Sequence, residues 1–149
     1  MPYVASNHDH PLSPSRPVPT SGETFLRVRY CECDPQGVAH HSAFLPWLEE
    51  GRTQLLRDAG VSYRDVEDAG LFLVVSKLEL RYKAPAFYDD QLIVRTSITG
   101  GGRARLDHAY TVLREGDTVG IPLIEATSTL ACVGRDGRPT ALPEWLCYR

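Results

Sequence analysis

Residues Tyr30 to Arg52 read YCECDPQGVAHHSAFLPWLEEGR. In this stretch an alternating segment runs into the turn formers Pro35, Gln36 and Gly37, and a long helical pattern follows. Tyr30, Asp34, His40 and His41 crowd the junction. A helix starting directly after them would present unpaired backbone N–H groups to an anion or a polarised carbonyl. Phe44, Trp47, Leu48, Gly51, Leu55 and Ala59 fall on one stripe, which predicts a long helix ending near Gly60. Gly51 costs about 1 kcal/mol relative to Ala in mid-helix, so its presence points to close approach by another backbone. Pro46 removes a donor early in the helix; either the first turn is irregular or the regular helix begins about there.

Upstream, Phe25, Arg27 and Arg29 alternate with Leu26, Val28 and Tyr30, a first strand from Thr24. Continued to residue 34, its period of two sets Tyr30, Glu32 and Asp34 on one face and Cys31 with Cys33 on the other. Downstream, the polar segment Ser62 to Asp68 suits one more helical turn. Four strand patterns follow, at Leu71 to Tyr82, Gln91 to Thr99, Arg103 to Glu115 and Thr118 to Val133. They are separated by Ala84-Pro85, by Gly100-Gly101-Gly102 and by Glu115-Gly116-Asp117, all turn chemistry. Pro122 requires an edge, a bulge or a later start to the last strand. Short links favour antiparallel neighbours. One strand, a long helix and four strands make an α+β chain whose five-stranded antiparallel sheet wraps the single apolar helix stripe. Leu142 to Tyr148 is a terminal segment expected to pack through Trp145.

Pro2, Pro11, Pro14, Pro17 and Pro19 lie among polar residues, so residues 1–22 are expected to be a disordered tail and residues 23–149 one domain. A net charge of −3 carries no footprint of nucleic-acid binding. No run of about 18 apolar residues spans a membrane, and no apolar core of an export signal is present; the expectation is a cytoplasmic protein with reduced thiols. Cys31-x-Cys33 beside Asp34 and the two histidines invites a zinc reading, but the spacing is wrong and no second ligand pair exists, so no metal is expected.

The order of elements, with Tyr30, Asp34, Gly37-Val38, His41, Glu49 and Arg52, resembles the hotdog-fold acyl-CoA thioesterases of the 4-hydroxybenzoyl-CoA thioesterase family, including its Tol-Pal-associated branch. Leu80-Arg-Tyr-Lys-Ala-Pro-Ala-Phe-Tyr-Asp-Asp-Gln-Leu92 resembles the family's central strand, turn and next strand. The resemblance spans roughly residues 24 to 146. It implies hydrolysis of an acyl-CoA thioester, with Asp34 as the catalytic carboxylate and a backbone N–H near His41 polarising the carbonyl. It also implies a homo-oligomer, dimer or tetramer, with sites at the subunit interface, and no cofactor beyond the coenzyme A of the substrate. His40 stands where relatives commonly carry an aromatic residue.

Residue by residue, Asp34 either attacks the carbonyl or acts as general base on water; the bland reading is a turn residue before proline. His41 orients the thioester or is a polar residue at a helix start. Tyr30 supports the carboxylate or packs in the core. Gly37, Val38, His40 and Glu49 are the substrate-binding candidates, His40 as a pocket wall. For Arg52 the favoured reading is an intrahelical ion pair with Glu49 on a partly exposed flank. Lys77, Arg81, Lys83, Arg103, Arg105, Arg135 and Arg138 are cations from which the phosphates of coenzyme A could be held. The alternatives to a thioesterase are an acyl-thioester hydratase or dehydratase, and a non-catalytic acyl-CoA-binding module.

Overall fold

A 15-residue helix, α1 (Phe44–Asp58), lies against an antiparallel sheet of five strands: β1 (Ser21–Arg27), β2 (Phe72–Tyr82), β3 (Gln91–Gly102), β4 (Arg105–Arg114) and β5 (Ile124–Val133). The computed structural model describes residues 12–117 and 119–148. The strand order is β1-β3-β4-β5-β2, so β1 and β2 are the two edges. A short helix, α2 (Tyr63–Asp68), begins at a reciprocal cap between Ser62 and Asp65.

The inner face of the sheet follows from the register. Gly22, Thr24 and Leu26 pair with Thr96, Val94 and Leu92, and Tyr110 pairs with Thr96 and Ala126. Leu92, Val94, Tyr110, Val112, Ile124 and Ala126 form a buried cluster with Phe44, Trp47 and Leu48 of α1. Thus the predicted helix stripe meets the predicted alternation. Gly51 is where the helix comes closest to β3: an added Cβ would collide with Thr96 Oγ1 and lie 3.0 Å from Val94 Cγ1. The close approach is to side chains of the strand.

Several boundaries differ from expectation. β1 starts at Ser21, inside the segment expected to be tail, and Val18 is buried while Ser15 donates twice to the Ala59 carbonyl. Burial of an apolar side chain and satisfied donors hold this strap to the end of α1. The first 11 residues of the expected tail lie outside the described residues. The three glycines at 100–102 belong to β3 instead of forming a turn, with a register shift between Ile98 and Gly100; β4 closes so tightly there that a Cβ on Gly101 would meet the Arg105 carbonyl at 2.5 Å. β5 starts at Ile124, past Pro122, which is the later start that a missing donor requires. At the C-terminus Leu146 is fully buried and Trp145 Nε1 donates to the Leu12 carbonyl at 3.2 Å. No helix among the described residues is long and apolar enough to cross a membrane.

Candidate active site

The strand expected to run from Thr24 to Asp34 stops at Arg27. Tyr30–Glu32 forms a 3₁₀ turn, so no shared strand face carries Tyr30, Glu32 and Asp34. Tyr30 is 80% exposed, and its ring packs edge-on against Tyr88 with centroids 5.6 Å apart. The turn wins because the Glu32 carboxylate closes it. Glu32 accepts from the Arg29 backbone N–H at 2.7 Å and from the Arg29 guanidinium at 2.9 and 3.1 Å. It also takes the Trp47 indole N–H at 3.1 Å, tying the turn to α1. Burial pushes the Glu32 carboxyl up, but these four donors outweigh it and leave it below the usual carboxylate range.

After the turn the chain doubles back. Asp34 N–H donates to the Val38 carbonyl at 2.9 Å, Cys33 bridges Ala39, and His40 N–H donates to the Glu32 carbonyl at 2.7 Å. Gly37 makes this reversal possible at φ +82°, a region unfavourable to other residues. The hairpin is anchored from below, where Ala39 N–H donates to the Ala86 carbonyl at 2.7 Å and Val38 bridges Phe87. Residues 32–34 are thereby held beside residues 38–40, with Asp34 opposite Val38 and Glu32 opposite His40, the residue before the helical segment.

Asp34 is half-buried. One carboxylate oxygen, Oδ1, accepts from Gln36 N–H at 2.8 Å, an Asx turn that fixes the side chain and leaves the second oxygen for chemistry. Its turn role and its availability therefore coexist. The helical segment starts as a 3₁₀ turn, His41–Ala43, capped by His40, whose Nδ1 accepts from Ser42 N–H at 3.2 Å and contacts Ser42 Oγ at 2.7 Å. His40 is thus a helix cap; its ring also stacks on that of His41, centroids 3.9 Å apart. Among the described residues no acceptor takes the His41 N–H. The peptide that carries this N–H is held through the His40 carbonyl, which accepts from Ala43 N–H at 2.9 Å, and the next peptide is tied to β2 through the His41 carbonyl, which accepts from Tyr82 Oη at 2.9 Å. Pro46 is the third residue of α1, within the first turn where N–H groups lack intrahelical acceptors, so it leaves the donor geometry at residue 41 undisturbed.

The cysteines take no part. All four are free, and burial together with the Glu32 and Asp34 carboxylates pushes the Cys33 thiol up, away from the thiolate that a nucleophile or metal ligand requires. Among the described residues no group of three or more His, Cys, Asp or Glu is arranged to hold a metal.

Arg52 is the clearest departure. It is 8% exposed, whereas the Glu49 side chain it reaches, Nη2 to Oε2 at 3.3 Å, is 64% exposed. Arg52 lies among Tyr63, His108 and Tyr110. Burial pushes both tyrosine hydroxyls up, with the Arg52 charge acting against it, and burial then Arg52 hold His108 down at about 4. Sequence reasoning missed this cluster and Glu32. For Glu32 the signal was available in Arg29 three residues before it and in an indole N–H that needs a partner. Of the candidate cations, Lys83 pairs with Glu125 at 2.8 Å and Arg105 with Asp107 at 3.2 Å. Arg135 donates to the Glu67 and Asp68 carbonyls.

A family model described as the Thioesterase-like superfamily matches residues 28–149. The acyl-CoA thioester hydrolase YbgC of Escherichia coli O157:H7 is 31% identical over 120 residues, covering 80% of this chain and 87% of that protein. The acyl-CoA thioesterase YbgC of Haemophilus influenzae is 30% identical over 121 residues, with coverage of 80% and 86%. Among solved structures, protein TT1821 of Thermus thermophilus is 35% identical with a TM-score of 0.75, covering 82% of this chain and 91% of that one. A DHNA-CoA thioesterase from Staphylococcus aureus is 28% identical with a TM-score of 0.76, covering 82% and 80%.

Proposed function

Since the chain belongs to the thioesterase-like superfamily, we propose that it hydrolyses an acyl-CoA thioester to the free acid and coenzyme A at the hairpin of Asp34, with the His41 N–H as the donor to the thioester carbonyl. The observation that supports this reading is that hairpin: one oxygen of a fixed carboxylate is uncommitted, and the same hairpin leads into a helix start whose first N–H has no acceptor among the described residues. Thioester hydrolysis needs those two things, a nucleophile or base and a donor for the oxyanion.

The donor is backbone, part of the His40–His41 peptide whose carbonyl accepts from the Ala43 N–H at 2.9 Å, so it costs no reorganisation when charge develops on the thioester oxygen. One such donor is worth about 3 kcal/mol in other enzymes. Asp34 acts in either of two balanced ways. As base, it takes a proton from water while the water oxygen adds to the carbonyl carbon; the C–S bond then breaks and the departing thiolate is protonated. As nucleophile, it adds to the same carbon and expels the thiolate, and water hydrolyses the resulting anhydride. Gly37 and Val38 shape the approach to the carboxylate, and His40 caps the donor segment.

The reading includes a homodimer. β2 is an 11-residue edge strand with Val74 and Val75 exposed, a pairing edge that proteins otherwise protect, and it borders the helix start through Tyr82. Arg81, beside Tyr82 on this edge, is the candidate we favour for a coenzyme A phosphate. Free thiols suit a reducing, cytoplasmic setting. The test is a panel of acyl-CoA esters followed by release of free thiol: turnover of one or more esters is expected, and failure to release thiol from any of them overturns the proposal.

A further inference from the structure

Buried arginines are held by carboxylates, and here the one carboxylate paired with Arg52 among the described residues is Glu49. The pairing is single and long, 3.3 Å, and Arg52 Nε has no partner at all. Thr96 Oγ1 and His108 Nδ1 are likewise buried and unpaired. The Tyr63 and Tyr110 hydroxyls lie against the guanidinium, and Tyr110 Oη also meets Ser128 Oγ of β5 at 2.7 Å. Arg52 thus keeps an unused Nε–H, and the exposed Glu49 is the one carboxylate paired with it among the described residues.

That carboxylate sits on α1 beyond Arg52, whose neighbours His108 and Tyr110 belong to β4, while the start of the helix meets Tyr82 of β2. At about 100° per residue, Gly51 faces Thr96 and Val94 of β3 and the Phe44 ring meets Tyr82 of β2 edge-on at 5.6 Å. Continuing round in the same sense come Arg52, Leu45 and Glu49. Leu45 is exposed, and half-buried Leu78 and Leu80 share the inner face of β2 with Tyr82. Leu45, Leu78 and Leu80 thus offer apolar surface near the helix start. Glu49 stands eight residues beyond His41, a helical rise of about 12 Å, shortened because side chains lean towards the N-terminus.

We propose that the acyl chain runs from the His41 N–H along this side of α1 and that Glu49, held in place by Arg52, is its specificity residue: it admits neutral acyl chains and rejects chains that end in a carboxylate. This rests on the thioesterase reading above. Two negative groups meeting on one flank repel, and removing the Glu49 charge leaves Arg52 without a counter-ion and open to an acyl carboxylate.

The test compares kcat/KM by thiol release for matched pairs of equal carbon number, butyryl- with succinyl-CoA, hexanoyl- with adipoyl-CoA and octanoyl- with suberyl-CoA. Wild type, Glu49→Gln and Glu49→Asp are assayed. In the pair turned over fastest, wild type is expected to prefer the neutral ester at least tenfold. Glu49→Gln is expected to shift that ratio at least tenfold towards the carboxylated ester, and Glu49→Asp to keep the wild-type ratio. A purely structural Glu49 changes both esters alike, and a ratio in Glu49→Gln within threefold of wild type overturns the inference while leaving the thioesterase reading intact. Absence of thiol release from every ester by wild type overturns both.

Discussion

The two ends of the polar chemistry on α1 are built in opposite ways. At its start, the Asp34 hairpin lies near the surface, and the backbone links that close it join residues within 32–40, with one anchor to residues 86 and 87. Midway along, Arg52, Thr96 and His108 are buried, assembled from α1, β3 and β4, and carry unpaired atoms. Local hydrogen bonds make the first region geometrically fixed while exposed. Long-range packing makes the second buried while incompletely satisfied, which costs stability.

The largest stability effect expected from this contrast comes from His108. Its folded value of about 4 lies below its ordinary 6.5, so between those limits the unfolded chain binds the extra proton and stability falls as pH falls. At about 1.4 kcal/mol per pH unit, the interval is worth about 3 kcal/mol. Urea unfolding at pH 7 and pH 4.5 should show wild type losing more stability on acidification than His108→Gln, by about 2 to 3 kcal/mol; equal losses would show that His108 is not buried as a neutral ring.

Next in size is Gly51→Ala. The methyl group meets Thr96 and Val94, so overpacking should destabilise by about 2 kcal/mol in spite of the better helix former. Because Thr96 Oγ1 has no partner, Thr96→Ala should recover most of that loss in the double variant. Strictly additive losses would contradict the close approach.

The smallest effect belongs to the exposed end. Glu32→Gln keeps the shape but weakens the charged hydrogen bonds to Arg29 and Trp47, a cost of about 1 kcal/mol at pH 7. The Glu32 carboxyl lies below its ordinary value, so its contribution is present above the usual carboxylate range and is lost as pH falls through that depressed value. The stability difference between wild type and variant should accordingly vanish in strong acid; a difference that persists there would assign the loss to packing.

The same contrast explains what could be read from the chain itself. The helix stripe, the alternating strands, Gly37 at a reversal and Gly51 at a close approach are local or periodic signals, and the structure carries each of them. The resemblance likewise pointed to the Asp34 and His41 neighbourhood. Tyr30 was misplaced because alternation was extended across Arg29 to Glu32, where a side chain closing on its own backbone replaces the strand. Arg52 was assigned to a partly exposed flank because i, i+3 spacing reports only its neighbour on the helix; its burial is set by Tyr63, His108 and Tyr110, up to 58 positions away. The glycines at 100–102 read as a turn because the β3–β4 pairing that accommodates them is itself long-range.

The most direct test of the central claim is steady-state thiol release by Asp34→Asn beside its thermal unfolding, on the best ester of the panel. The hairpin bond to Gln36 N–H needs only an acceptor oxygen, which asparagine retains, so the melting temperature should stay within about 2 °C of wild type while kcat falls by about 10² to 10³. Full turnover by Asp34→Asn would contradict the assignment of the chemistry to this carboxylate.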